Sequence, residues 1–97
     1  MPKFVMLSII SPDGAARLRE SPERLKEVNA EVEAMGGSIE HQVALLGQWD
    51  FLTILETPDV ATMTRIATAL NGRGTLKTRT LTALDIDEFI ATVGDPG

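Results

Sequence analysis

Residues 43–55, Val-Ala-Leu-Leu-Gly-Gln-Trp-Asp-Phe-Leu-Thr-Ile-Leu, restrict the fold of this chain more than any other stretch. Two short runs rich in Val, Ile, Leu and Phe flank a Gly-Gln-Trp-Asp cluster, which is the pattern of a β-hairpin. The turn carries Trp49, the one tryptophan of the chain, where loops usually hold small polar residues. Trp49 reads either as a rim residue packed against a second chain or as a cover for the end of its own sheet.

The hairpin needs neighbours, and the chain supplies them in order. Residues 3–10 read as a strand apolar on both alternating faces, with Phe4, Met6 and Ile10 on one and Val5, Leu7 and Ile9 on the other. Such a strand belongs at the centre of a sheet covered on both sides. Ser11-Pro12-Asp13 then opens a helix: a capping hydroxyl, a proline at the first helical position and an acid in the first turn. The same grammar returns at Ser21-Pro22-Glu23, and a proline inside a helix breaks it. The expectation is a short helix over 12–19 and a longer one over 22–35, whose stripe is Leu25, Val28, Val32 and Met35. Gly36-Gly37 ends it. Strands follow at 38–46 and 50–56. Thr57-Pro58-Asp59 opens a helix with Val60, Met63, Ile66, Ala67 and Leu70 on one side, closed by Asn71-Gly72. A β-branched strand at 75–83, a last short helix with Phe89, Ile90 and Val93, and an Asp95-Pro96-Gly97 tail complete the chain.

This order, β-α-β-β-α-β-α, predicts one domain over residues 1–97. Two right-handed crossovers around the hairpin yield a ferredoxin-like α+β sandwich, with a four-stranded antiparallel sheet and both main helices on one face. The short C-terminal helix is an addition to that core.

Pairing Leu46 with Phe51 across an even loop puts Val43, Leu45, Leu52 and Ile54 on one face, with His41 and Glu56 at its far end. Gln42, Ala44, Leu46, Phe51, Thr53 and Leu55 share the other face. The uniformly apolar set is expected beneath the helices, and Lys77 and Arg79 on the open side, because unpaired charges are costly to bury. The open side then carries Leu46, Phe51, Leu55 and Leu81 with Phe4 and Met6 of the first strand, and Trp49 at the rim, as an interface for a second copy. Lys77, Arg79, Gln42 and Thr53 would line a space between the two sheets and hold a small anionic or polar molecule there. The competing reading neutralises the two cations with a carboxylate of the neighbouring chain, Glu40 being the candidate.

Composition removes several function classes. A net charge of -5 argues against nonspecific nucleic-acid binding. No apolar run reaches the roughly 20 residues that span a membrane, and no basic leader precedes the first strand, so a cytoplasmic protein is expected. There is no cysteine, hence no disulfide, thiolate metal site or thiol nucleophile. His41 is the one imidazole, so no multi-histidine metal site forms within a chain, and neither a metal nor a cofactor is expected. His41 beside Glu56 reads as an acid/base pair or as a satisfied polar pair at a sheet end. Asp50 is a second weak catalytic candidate. Gly72-Arg73-Gly74 lacks the strand-to-helix setting of a dinucleotide loop and reads as a capped turn.

The opening Pro2-Lys3-Phe4-Val5-Met6-Leu7 resembles that of the GYD-domain proteins, and so do residues 23–31, Met35-Gly36-Gly37, Ala44-Leu45-Leu46-Gly47, Asp50-Phe51 and residues 73–78. The likeness covers essentially the whole chain. In the naming motif Trp49 stands where that family commonly has Tyr, which keeps the aromatic body and removes a phenolic hydroxyl. The resemblance implies a dimeric α+β barrel assembly and assigns no reaction. Three function classes stay open: an oligomeric module binding a small polar or anionic molecule, a cofactor-independent isomerase or oxygenase, and a purely structural assembly protein.

Overall fold

A computed structural model describes residues 1–94, so the expected tail at 95–97 lies outside the described residues. The elements run β1 (Lys3–Ile10), α1 (Pro12–Glu20), α2 (Arg24–Ala34), β2 (Ser38–Ala44), β3 (Phe51–Glu56), α3 (Val60–Gly72), β4 (Leu76–Ala83) and α4 (Ile86–Gly94). The strands form one antiparallel sheet in the order β2-β3-β1-β4. This is the ferredoxin-like α+β fold, with the doubly apolar β1 in its interior.

Ser11 caps its helix as the grammar predicts, whereas at Thr57-Pro58-Asp59 the cap is Asp59 and Pro58 lies outside the helix. The Ser11 hydroxyl accepts the Gly14 amide at 3.1 Å, and the Asp59 carboxylate accepts the Thr62 amide at 2.7 Å. Ser21 acts differently: its backbone carbonyl accepts the Arg24 amide at 3.1 Å, and α2 starts without a side-chain cap. Two helices separated at Ser21–Glu23 result, because Pro22 has no amide to continue α1. Helix α3 continues through Gly72, and the reversal falls on Gly74, whose φ of 74° is left-handed. The Asn71 side chain fastens that end to the sheet, its Oδ1 accepting the Thr78 backbone amide at 2.8 Å and its Nδ2 donating to the Thr78 hydroxyl at 2.7 Å.

The hairpin register is Gln42 against Thr53, Val43 against Leu52 and Ala44 against Phe51, two residues away from the expected pairing. A shift of two preserves the faces, so the two expected side-chain sets hold together. The covered side is the reverse of the expected one. The core consists of Phe4, Met6, Val32, Leu55, Met63, Ile66 and Leu70, so the helices lie over the mixed set. Two causes combine. The polar members of that set are satisfied there: Gln42 donates to the Thr53 hydroxyl at 2.9 Å and to Asn29 at 3.2 Å, and Asn29 of α2 donates back at 2.7 Å. Hydrogen bonding removes the penalty that made this set look unburiable. A bulge between Ile39 and His41 then turns Ile39 onto the helix side, where it packs against the core.

Candidate functional site

With the mixed face under the helices, the open face holds the more apolar residues. Val5, Leu7 and Ile9 of β1 lie beside Leu52 and Ile54 of β3 on one flank, and beside Leu81, Arg79 and Lys77 of β4 on the other. Val43 and His41 continue the face onto β2. Ile9 and Val43 are each 36% exposed and Leu81 55%, an open apolar surface bordered by cations along β4.

One end of this face is closed by charge. The Lys3 ammonium lies 2.5 Å from Asp85, 3.1 Å from Glu40 and 4.0 Å from Glu56. Hydrogen bonds that the ammonium donates to Asp85 first, then to Glu40, hold it above the ordinary lysine range. Glu40 is therefore engaged by Lys3 within the chain. The Lys3–Asp85 contact also fixes the start of α4 to the sheet. Beyond that anchor none of α4 is buried: Ile86, Phe89, Ile90 and Val93 are between 47% and 68% exposed.

The expected site residues separate accordingly. Lys77 and Arg79 are exposed on the open face as predicted, but Gln42 and Thr53 sit on the opposite side, bonded to Asn29. The four do not share a space. Phe4, Met6 and Leu55 are core residues, each under 5% exposed, and so are not an interface. Phe51 is half-buried on the helix side, Trp49 is half-buried, and Leu46 is fully exposed in the loop. His41 and Glu56 do not pair: Glu56 contributes to the Lys3 cluster, and the imidazole of His41, exposed opposite Ile54, has no hydrogen bond or ion pair among the described residues.

Asp50 has a structural occupation. Its carboxylate accepts the Ile10 amide at 2.8 Å, its own amide donates to the Ser8 carbonyl at 2.8 Å, and its carbonyl accepts the Leu45 amide at 2.8 Å. One residue thus ties the β2–β3 connection to the end of β1. Gly47, with φ of 121°, lets the loop reverse direction there.

A feature absent from the sequence reading lies on the helix side. A groove of about 320 Å³ runs between α1, α2 and the sheet, floored by Ile10, Leu25, Val28, Phe51 and Leu76 and edged by Arg17, Arg24 and Glu27. Its residues come from five elements at irregular spacing, so no local motif announces it.

Fold and register together define a small ferredoxin-like α+β protein whose sheet is open on one side. The chain matches the GYD domain over residues 4–93 and belongs to that family. It is 44% identical over 92 residues to the glutamine synthetase and cystathionine beta-lyase binding protein of Thermus thermophilus, covering 94% of this chain and 97% of that one. Among solved structures, the crystal structure of FFRP-DM1 superposes with a TM-score of 0.59 at 19% identity, covering 87% of this chain and all (100%) of the other. A dimeric ferredoxin-like protein from an uncultured marine organism gives 0.41 at 10% identity, covering 92% and 97%.

Proposed function

We propose that this chain is a protein-binding module that works as a dimer, with two copies closed sheet to sheet and a partner protein held on α4. The observation that supports it is the placement of apolar surface. The open face carries Val5, Leu7, Ile9, Val43, Leu52, Ile54 and Leu81, and α4, which among the described residues buries none of its side chains, carries a second apolar stripe. Contiguous exposed apolar area of this kind marks interfaces. A β-sheet face suits a second copy, because two such faces stack about 10 Å apart and interdigitate. Lys77 and Arg79 border that face and set its register against acids of the other copy.

The Thermus relative is named for binding glutamine synthetase and cystathionine beta-lyase, and these two enzymes are the partners proposed here. A small anionic molecule between the sheets is the less supported reading, since Gln42 and Thr53 face away from Lys77 and Arg79. For an enzyme the support is thinner still, with the Asp50 carboxylate used by the Ile10 amide and His41 unpartnered among the described residues.

Two variants separate the parts of this reading. In light scattering the wild type is expected at twice 10.5 kDa, and Ile54→Asp at the monomer mass, because a charge is placed inside an apolar interface. Ile90→Asp is expected to remain a dimer and to lose capture of glutamine synthetase and cystathionine beta-lyase from the same organism in a purified pull-down. A monomeric wild type at micromolar concentration overturns the dimer. An Ile90→Asp protein that still captures both enzymes overturns the role of α4.

A further inference from the structure

The helix-side groove is independent of the protein-binding reading, since it opens on the face of the sheet opposite to Lys77 and Arg79. Its volume of about 320 Å³ lies at the lower end of small-molecule sites. The floor is apolar and half-buried: Ile10, Leu18, Leu25, Val28, Phe51 and Leu76 leave a gap that neither α1 nor α2 fills. Toward the hairpin it narrows to a pocket of about 20 Å³ that shares Leu25, Val28, Phe51 and Leu76 and ends on Asn29, Gln42 and Thr53. Those three polar groups satisfy one another. The inner end therefore asks for no polar atom from a ligand.

The mouth is different. Arg17 from the last turn of α1 and Arg24 from the first turn of α2 both border it. Of the cations around the groove, Arg73 is paired with Glu31, whereas neither Arg17 nor Arg24 has an ion-pair partner among the described residues. Guanidinium groups recognise carboxylates through two parallel hydrogen bonds. We propose that this groove binds a small molecule with an unbranched or compact apolar body and a single carboxylate, the body lying along Leu25, Val28 and Phe51 and the carboxylate held by Arg17 and Arg24. Glu27, on the same rim and also without an ion pair among the described residues, opposes the ligand's charge and weakens its binding.

Octanoate, with 1-octanol as its neutral counterpart, probes the site by isothermal titration. Octanoate binds saturably and on the order of tenfold more tightly than the alcohol, the scale of a charge-assisted hydrogen bond. Arg17→Ala/Arg24→Ala abolishes that preference while leaving the alcohol unaffected. Glu27→Gln enlarges it. All three side chains are exposed, so circular dichroism of the variants should match the wild type. The proposal is overturned by octanoate and octanol binding equally, by an unchanged preference in the double-arginine variant, or by no saturable binding up to about 10 mM.

Discussion

Asp50 shows how one side chain of a named motif serves the fold. Its carboxylate, amide and carbonyl each make a backbone hydrogen bond, to Ile10, Ser8 and Leu45. Removing the carboxylate strands the Ile10 amide at a half-buried position, where a lost bond to a charged group costs about 1.5–3 kcal/mol. Asp50→Ala should therefore lower the unfolding free energy by that amount in urea titrations, and a variant of unchanged stability refutes the assignment. Asp59 acts at the start of α3, where hydrogen bonds from the Thr62 hydroxyl and then the Thr62 amide hold its carboxyl below the ordinary carboxylate range. A carboxylate lowered in the folded state stabilises it at every pH above the unfolded value of about 3.9, and that contribution disappears as the pH falls through the folded value. Thermal melts should show wild-type stability falling below about pH 4, with a shallower fall for Asp59→Asn, which caps without titrating. Parallel acid slopes for the two proteins would count against this cap as the source.

At the scale of elements, β1 and α4 are the two that a monomer uses poorly. Helix α3 buries Met63, Ile66 and Leu70 against Phe4, Met6 and Leu55 and completes one layer of the core. Beneath it β1 still presents Val5, Leu7 and Ile9 to the other side, and α4 presents its whole stripe. Burying one such large apolar side chain stabilises by roughly 1.5–3 kcal/mol, so several of them per copy can offset the cost of association. Helices α1 and α2 fall short in a different way, leaving the arginine-edged groove between themselves and the sheet.

The whole molecule measures 54 by 28 by 19 Å, an elongated outline for its size. It is also unevenly charged, with an overall charge of -5 but no acid between Val60 and Leu84, the stretch that carries the exposed Lys77 and Arg79 of β4. An interface made mainly of apolar area should resist salt, because screening acts on its bordering charges and not on its buried surface. Dimer mass in sedimentation should hold between about 0.05 and 1 M salt, where the Debye length falls from more than 10 Å to about 3 Å. Dissociation at high salt would mean that Lys77, Arg79 and their counter-charges, and not the apolar face, carry the association.

From the sequence alone the element order, the capped helix start at Ser11, the interior place of β1 and the family were legible, because each rests on local spacing or on adjacent residues. At α3 the start was legible but the cap fell on Asp59 in place of Thr57. The partition of the hairpin into two faces was legible too, since side chains alternate whatever the exact register. Which of those faces the helices cover was decided by tertiary structure. Asn29, thirteen residues before Gln42, supplies the bonds that make Gln42 and Thr53 buriable, and no local pattern shows that the three meet. The bulge that turns Ile39 inward was equally invisible, being a property of how two strands pair. The groove behind Arg17 and Arg24 exists only where five elements converge. Local chemistry thus set the parts and their order, while the side that is open to a partner followed from long-range hydrogen bonds that satisfy polar groups in the interior.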